Sequence, residues 1–238
     1  MRLVDRIKQR LHRDIVSDPV LHGLVLNLYL NGEQYPQRVD DYFPITASMN
    51  AALADQMRSH VSDEQKHVLL YTRAIVKLGQ PVAELDKAHV FNEVIRSHTP
   101  VSFRIEPTDS ADAKTLKLAH FLAHVHFLEK RVARSLDYHV EACAHSSSRY
   151  PERAVAAVLG DEGRHVTYTH EAVRDLLPRA QASDVLALHA AAERTANWDF
   201  SATQLRRLAR EQRDRFTPTR RTAYLLCARM LHTALFLA

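Results

Sequence analysis

Residues 63–68 read Asp63-Glu64-Gln65-Lys66-His67-Val68, and residues 161–166 read Asp161-Glu162-Gly163-Arg164-His165-Val166. Each copy contains Glu-x-x-His, a spacing that puts carboxylate and imidazole on one face of a helix. Both copies sit in the middle of otherwise apolar stripes. Around the first, the stripe reads Met49, Leu53, Met57, His60, Glu64, His67 or Val68, Tyr71, Ile75 and Leu78. A carboxylate buried beside an imidazole is costly unless it is paired or holds a metal. One Glu-x-x-His arises often by chance, but two with matching neighbours ask for a common cause.

Working outward, two more glutamates interrupt apolar stripes. Glu33 precedes Glu64 by 31 positions and Glu129 precedes Glu162 by 33. In antiparallel helix pairs such intervals bring both members to one height. The helical pattern is nearly continuous, and the expected fold class is all-α. A first helix is expected from about Asp18 toward Tyr42, with a face through His22, Val25, Tyr29 and Glu33, kinked or interrupted by Pro36. Thr46 is the expected cap of a second helix that Gly79, Gln80 and Pro81 stop after Leu78. A third is expected over Ala113–His145, with the stripe Leu118, Leu122, Val125 or His126, Glu129, Ala133, Leu136 and Val140. Pro151 suits the first turn of a fourth, which ends before Pro178. Residues 80–112 read as a less regular insert, with a short helix around His89–Arg96 and a loop, HTPVSFRIEPTDS, in the position of a lid. Two or three shorter helices are expected after Pro178. The last, AYLLCARMLHTALFLA, reads as a packing helix and not a span.

Composition agrees. Among 238 residues only five are glycine, and no apolar run approaches the ~20 residues that cross a bilayer. A single domain over 1–238 is expected, with its core at about 18–178 and a C-terminal extension over 179–238. The N-terminus, MRLVDRIKQRLHRDIV, is charged and amphipathic and lacks the apolar stretch of a secretory signal. Cys143 and Cys227 make no disulfide framework and suit a reducing cytoplasm. Net charge is +4, and seven arginines fall between Arg206 and Arg221 against Glu211 and Asp214. They read either as an anion or nucleic-acid patch or, more plainly, as a solvated helix face with i,i+4 pairs.

Two hairpins, each carrying Glu…Glu-x-x-His, can close around one site. This is the arrangement of di-iron and di-manganese carboxylate centres in helical bundles. Over roughly residues 18–178 the chain resembles the ferritin-like di-iron carboxylate superfamily. Its Asp-Glu-x-Lys/Arg-His phrase is similar to the motif of ribonucleotide reductase small subunits and related oxidases and oxygenases. Chain length and the Gly32-Glu33-Gln34 triplet also resemble the aldehyde-deformylating oxygenases. The resemblance implies a ferritin-like four-helix bundle with additional C-terminal helices. It also implies a metal set of Glu33, Glu64, His67, Glu129, Glu162 and His165. Glu64 and either Glu129 or Glu162 would bridge two ions, Glu33 would be terminal, and His67 and His165 would each ligate one ion. Gly32 and Pro36 flank Glu33, which leaves Asp40 as a distant substitute.

A ligating imidazole usually donates its other N–H to a carboxylate or carbonyl. Asp63 is therefore expected to hold His165, and Asp161 to hold His67, across the bundle. His60, four before Glu64, and His126, three before Glu129, are expected to be extra ligands or supporting donors. Arylamine N-oxygenases of the superfamily are similar in carrying an extra histidine so related to one Glu-x-x-His. Tyr29, Tyr71 and Tyr168 lie one turn from Glu33, His67 and His165. They are candidates for a catalytic role, with core aromatics the plainer reading. His120, His124, His139 and His145 have no matching set.

A carboxylate-rich, histidine-poor set suits iron and manganese better than copper. The expected activity is that of an oxidase or monooxygenase with two iron ions (Fe/Fe, or Mn/Fe) and dioxygen as co-substrate. It would act on a small organic molecule with an external electron donor, as a monomer or homodimer. The alternatives are a ferroxidase of an iron store and a tRNA-modifying hydroxylase. Substrate and reaction type are not legible.

Overall fold

The computed structural model describes residues 3–40, 42–144 and 149–235. The fold is all-α: the described residues form eight α-helices and no strand. These are α1 (Leu3–Val16), α2 (Pro19–Arg38), α3 (Ala51–Lys77), α4 (Phe91–Ser97), α5 (Ala111–Cys143), α6 (Arg149–Leu176), α7 (Arg179–Glu211) and α8 (Pro218–Leu235). Among the described residues no helix is long and apolar enough to cross a membrane.

Local chemistry sets the boundaries. Asp18 caps α2 by accepting from the Val20 and Leu21 amides, with Pro19 in the first turn. Pro36 neither ends nor interrupts the helix, which continues to Arg38. The proline falls in the last turn, where it removes the bond to the Gly32 carbonyl but only two helical residues follow it. Thr46 is not the cap of α3. It lies in a 3-10 turn, and Asn50 does the capping by accepting from Ala52 and Leu53. Met49 therefore sits outside the helix and is fully exposed, not part of the buried stripe. Gly79, at φ +70°, closes α3. The shorter helices expected after Pro178 are replaced by one helix of 33 residues, α7, and then α8. No glycine or proline falls inside α7, so nothing breaks it before it gives way, after Glu211, to a 3-10 turn over Arg213–Arg215. His145, the expected end of the third helix, and the serines that follow lie outside the described residues.

The register of contacts fixes the helix directions. Gly23 meets Gln80, where an added Cβ would come within 2.6 Å, and further along Glu33 meets His67, so α2 and α3 run antiparallel. By the same reading His60 meets Tyr168 and Lys66 meets Asp161, which sets α3 against α6. Two apolar layers sandwich a polar one. The first contains Leu26, Leu30, Tyr71, Ile75, Leu136 and Val155, and the second Met57, Leu118, Leu122, Tyr168 and Val173.

A third cluster joins α1 and α2 to the C-terminal helices through Ile15, Val25, Leu205, Phe216 and Leu231. Asp14 accepts from Tyr224 and from Arg220, both at 2.6 Å, and Arg215 binds Asp18 at 2.7 Å. Arg207 pairs with Glu211 four residues on. These pairings tie down much of the arginine-rich stretch. The loop over 98–110 is irregular as expected, with Phe103 buried in it. The preceding connector is laced to α2: Asn27 and Asn31 accept from the Ala83 and Leu85 amides and donate to the Pro81 and Ala83 carbonyls.

Candidate metal centre

The polar layer gathers Glu33 from α2, Glu64 and His67 from α3, Glu129 from α5, and Glu162 and His165 from α6. None of the six is more than 6% exposed. The ligand atoms of five of them, with those of His60, fall into two groups, Glu33/His67/Glu162 and His60/Glu64/His165, with Glu129 in neither. Within each group the atoms lie no more than 4.8 Å apart. Glu162 faces both, with Oε1 3.9 Å from His67 Nδ1 and Oε2 3.3 Å from His165 Nδ1. Glu64 does likewise, with Oε1 3.1 Å from His60 Nε2 and 4.0 Å from His67 Nδ1. Glu33 sits 3.2 Å from His67 Nδ1, and Glu129 3.5 Å from His60 Nε2.

Four carboxylates in one buried layer cannot all stay charged. Burial, then the neighbouring Glu33 and Glu129, raises Glu64 well above the usual carboxylate value, and Glu162 is raised by burial, Glu129 and Glu33. Burial works the same way on Glu129, but the hydrogen bond and charge of His60, with His165, win and hold it below that value. Even so, Glu162 Oε1 is buried with no hydrogen-bond partner among the described residues. A buried carboxylate oxygen without a partner is what a cation would satisfy. Oxygen donors in this number, with two or three imidazoles, fit iron or manganese.

The aspartates cross the bundle. His165 Nε2–H donates to Asp63 at 3.3 Å and His67 Nε2–H donates to Asp161 at 3.2 Å, which leaves both Nδ1 atoms facing the carboxylates. Lys66 and Arg164 each contact both aspartates. Burial would raise the aspartates, but Lys66, Arg164 and the histidines hold both below the ordinary value. Burial also opposes the charge on His67, yet Glu33 and Asp161 raise it overall. His165 is lowered to about 4, by burial and then by His60.

His60 points into the site. Its ring stacks on His165 with centroids 3.6 Å apart, and its Nδ1 meets the Tyr168 hydroxyl at 2.8 Å. His126 does not. Its Nδ1 donates to the Val166 carbonyl at 3.0 Å and its ring lies against Phe127 and His170, so the expectation of a ligand or supporting donor there is corrected. Three residues from Glu129 the side chain is already rotated toward α6, where a backbone acceptor satisfies it. Asp40 is exposed beyond the end of α2 and does not substitute for Glu33. Of the tyrosines, Tyr168 touches His60. Tyr71 is fully buried beside Glu33 and Glu162 with its hydroxyl unpartnered. Tyr29 turns its hydroxyl to His139 Nδ1 at 3.2 Å, away from the carboxylates.

An apolar cavity of about 160 Å³ ends on Glu33, Glu64 and Glu129. Its walls include Leu11 of α1, Val25 of α2, Phe91 of α4, Leu128 of α5 and Leu205 of α7. The part of α1 was missed in the sequence, although its amphipathic pattern was the available signal. A second, more polar cleft reaches His60, Asp63, His165 and Tyr168 from outside. No family model matches the chain, and no curated protein or solved structure matches it either.

Proposed function

We propose that the chain is a ferritin-like four-helix bundle with added N- and C-terminal helices, and that it is an oxygen-dependent di-iron oxidase or monooxygenase of a small, largely apolar molecule. The observation that carries this reading is the apolar cavity ending on a buried layer of four glutamates and two Asp-held histidines. Glu33, His67 and Glu162 would hold one ion and His165, Glu64 and His60 the other, with Glu129 beside the second. Glu64 and Glu162, which face both groups, would serve both ions. A bound iron pair would supply the activation of dioxygen.

The chain's own residues supply the rest. Asp63 and Asp161 fix the imidazoles with Nδ1 inward. Val25, Leu128, Leu205 and their neighbours keep water from the cavity and would seat an apolar substrate beside Glu33, Glu64 and Glu129. A cavity of this size compares with the engineered ~150 Å³ cavity that admits benzene. Tyr168 orients His60. The polar cleft at His60 and Asp63 gives ions a route separate from the apolar one.

Anaerobic reconstitution with ferrous iron is the test. About two irons per chain are expected, lost in both Glu64→Ala and Glu162→Ala. Many more irons per chain would favour an iron store, and none in the unmodified protein would remove the reading.

A further inference from the structure

Beside the carboxylate layer lies a second buried cluster of very different composition. His139 and Cys143 are four residues apart on α5, on one face, and His22 of α2 meets them. None of the three is more than 1% exposed. The His22 and His139 Nε2 atoms are 2.9 Å apart, and one ligand atom from each of His22, His139 and Cys143 lies within 4.8 Å of the others. The thiol is in no disulfide. The outer nitrogen of His139, Nδ1, meets the Tyr29 hydroxyl at 3.2 Å, the support that a ligating imidazole usually has. A third imidazole, His12 of α1, stands with its ring 5.5 Å from that of His139 and its buried Nδ1 without a partner among the described residues. The apolar cavity reaches both His12 and Tyr29, which gives the cluster an approach.

We propose that His22, His139 and Cys143 form a second metal site, one that takes a single thiophilic ion, Cu(I). Two imidazoles and a thiolate are soft and nitrogen-rich, unlike the glutamates next door. One thiolate neutralises a monovalent ion, whereas a divalent one would leave a net charge in a buried, neutral pocket. Binding breaks the S–H bond of Cys143 and forms a Cu–S bond, with the proton released to solvent and no electron transferred. His139 binds through Nε2 with its Nδ1–H donated to Tyr29, and His22 gives up the Nε2 contact by moving its proton to Nδ1. The site stands on residues other than those of the iron reading.

The test is titration of the full-length chain with Cu(I) under argon against bathocuproine disulfonate, with copper-edge X-ray absorption on the product. The expected result is one copper per chain that resists the chelator, with sulfur in its coordination shell. Tyr29→Phe should weaken it about 10-fold, as loss of an orienting partner does, and Cys143→Ser by more. Glu162→Gln should leave it unchanged. No retained copper, copper without sulfur scattering, equal retention by Cys143→Ser, or loss in Glu162→Gln would each overturn the proposal. The X-ray measurement on the unmodified protein decides even if a variant folds poorly.

Discussion

The two Glu-x-x-His halves are alike where they face each other and unlike one turn away. Each sends an aspartate to the other's histidine, and each brings its own histidine's Nδ1 to the shared carboxylates. Four residues before the glutamate, the first half has His60 and the second has Val158. Four residues after the histidine, the first has Tyr71 and the second has Thr169, whose hydroxyl donates back to the His165 carbonyl. One end of the polar layer is thus lined by His60 and Tyr168, while the other is closed by Tyr71 and Val158 in an apolar cluster. A pattern repeated in sequence supplies the ligands, and the departures from the repeat make the two ion positions unequal.

The strongest way to break this comparison is at the crossed aspartates. Asp161→Asn and Asp63→Asn should each lower ferrous-ion affinity by roughly 10–100-fold, since each loosens an imidazole held from the opposite half. Chelator-competition binding curves would show it. A large effect in one variant and none in the other would mean that the cross-bundle symmetry has no energetic content.

Next in size is His60→Val, which gives the first half the residue of the second. It should weaken only the ion that shares His165, by at least about 10-fold, since it removes a nitrogen donor from that position alone. Stepwise anaerobic titration followed by Mössbauer spectroscopy should then separate the two ions. Equal loss of both would contradict the assignment of His60 to one position.

The last effect is on the stability of the metal-free protein. His165 is lowered to about 4 against the usual 6.5, so between those values the unfolded chain binds a proton that the native one refuses. Stability therefore rises with pH across that window by up to about 1.4 kcal/mol per pH unit from this residue, and His165→Gln should flatten the slope. His67 has the opposite sign. Raised by Glu33 and Asp161 against burial, it stabilises the fold fully below pH 6.5 and loses that contribution as pH rises through its folded value. Urea titrations of His165→Gln and His67→Gln across pH would read both signs. The same slope in both would erase the asymmetry.

Periodicity and spacing carried the helical class, since apolar stripes interrupted by charge have few other solutions. They also carried the four glutamates and two histidines, because burial of the stripes forces those side chains inward together. Side-chain direction was less legible. His126 shares a face with Glu129 by count, but its ring finds the Val166 carbonyl first. Tyr29 is one turn from Glu33, and a turn is about 5.4 Å along the axis, enough to place its hydroxyl at His139. Tertiary matters were silent. Nothing local says that α1 lies along α5 and walls the cavity, nor that Asn27 and Asn31 hold the backbone at 81–85.

The crossed aspartates also carry a consequence for molecularity. A chain opened between α3 and α5 would leave two fragments, each with its glutamates and its Glu-x-x-His histidine, but each with the orienting aspartate for that histidine on the other piece. Tight iron uptake by such fragments would then be second order in their concentration, and the metal would report the meeting of the halves.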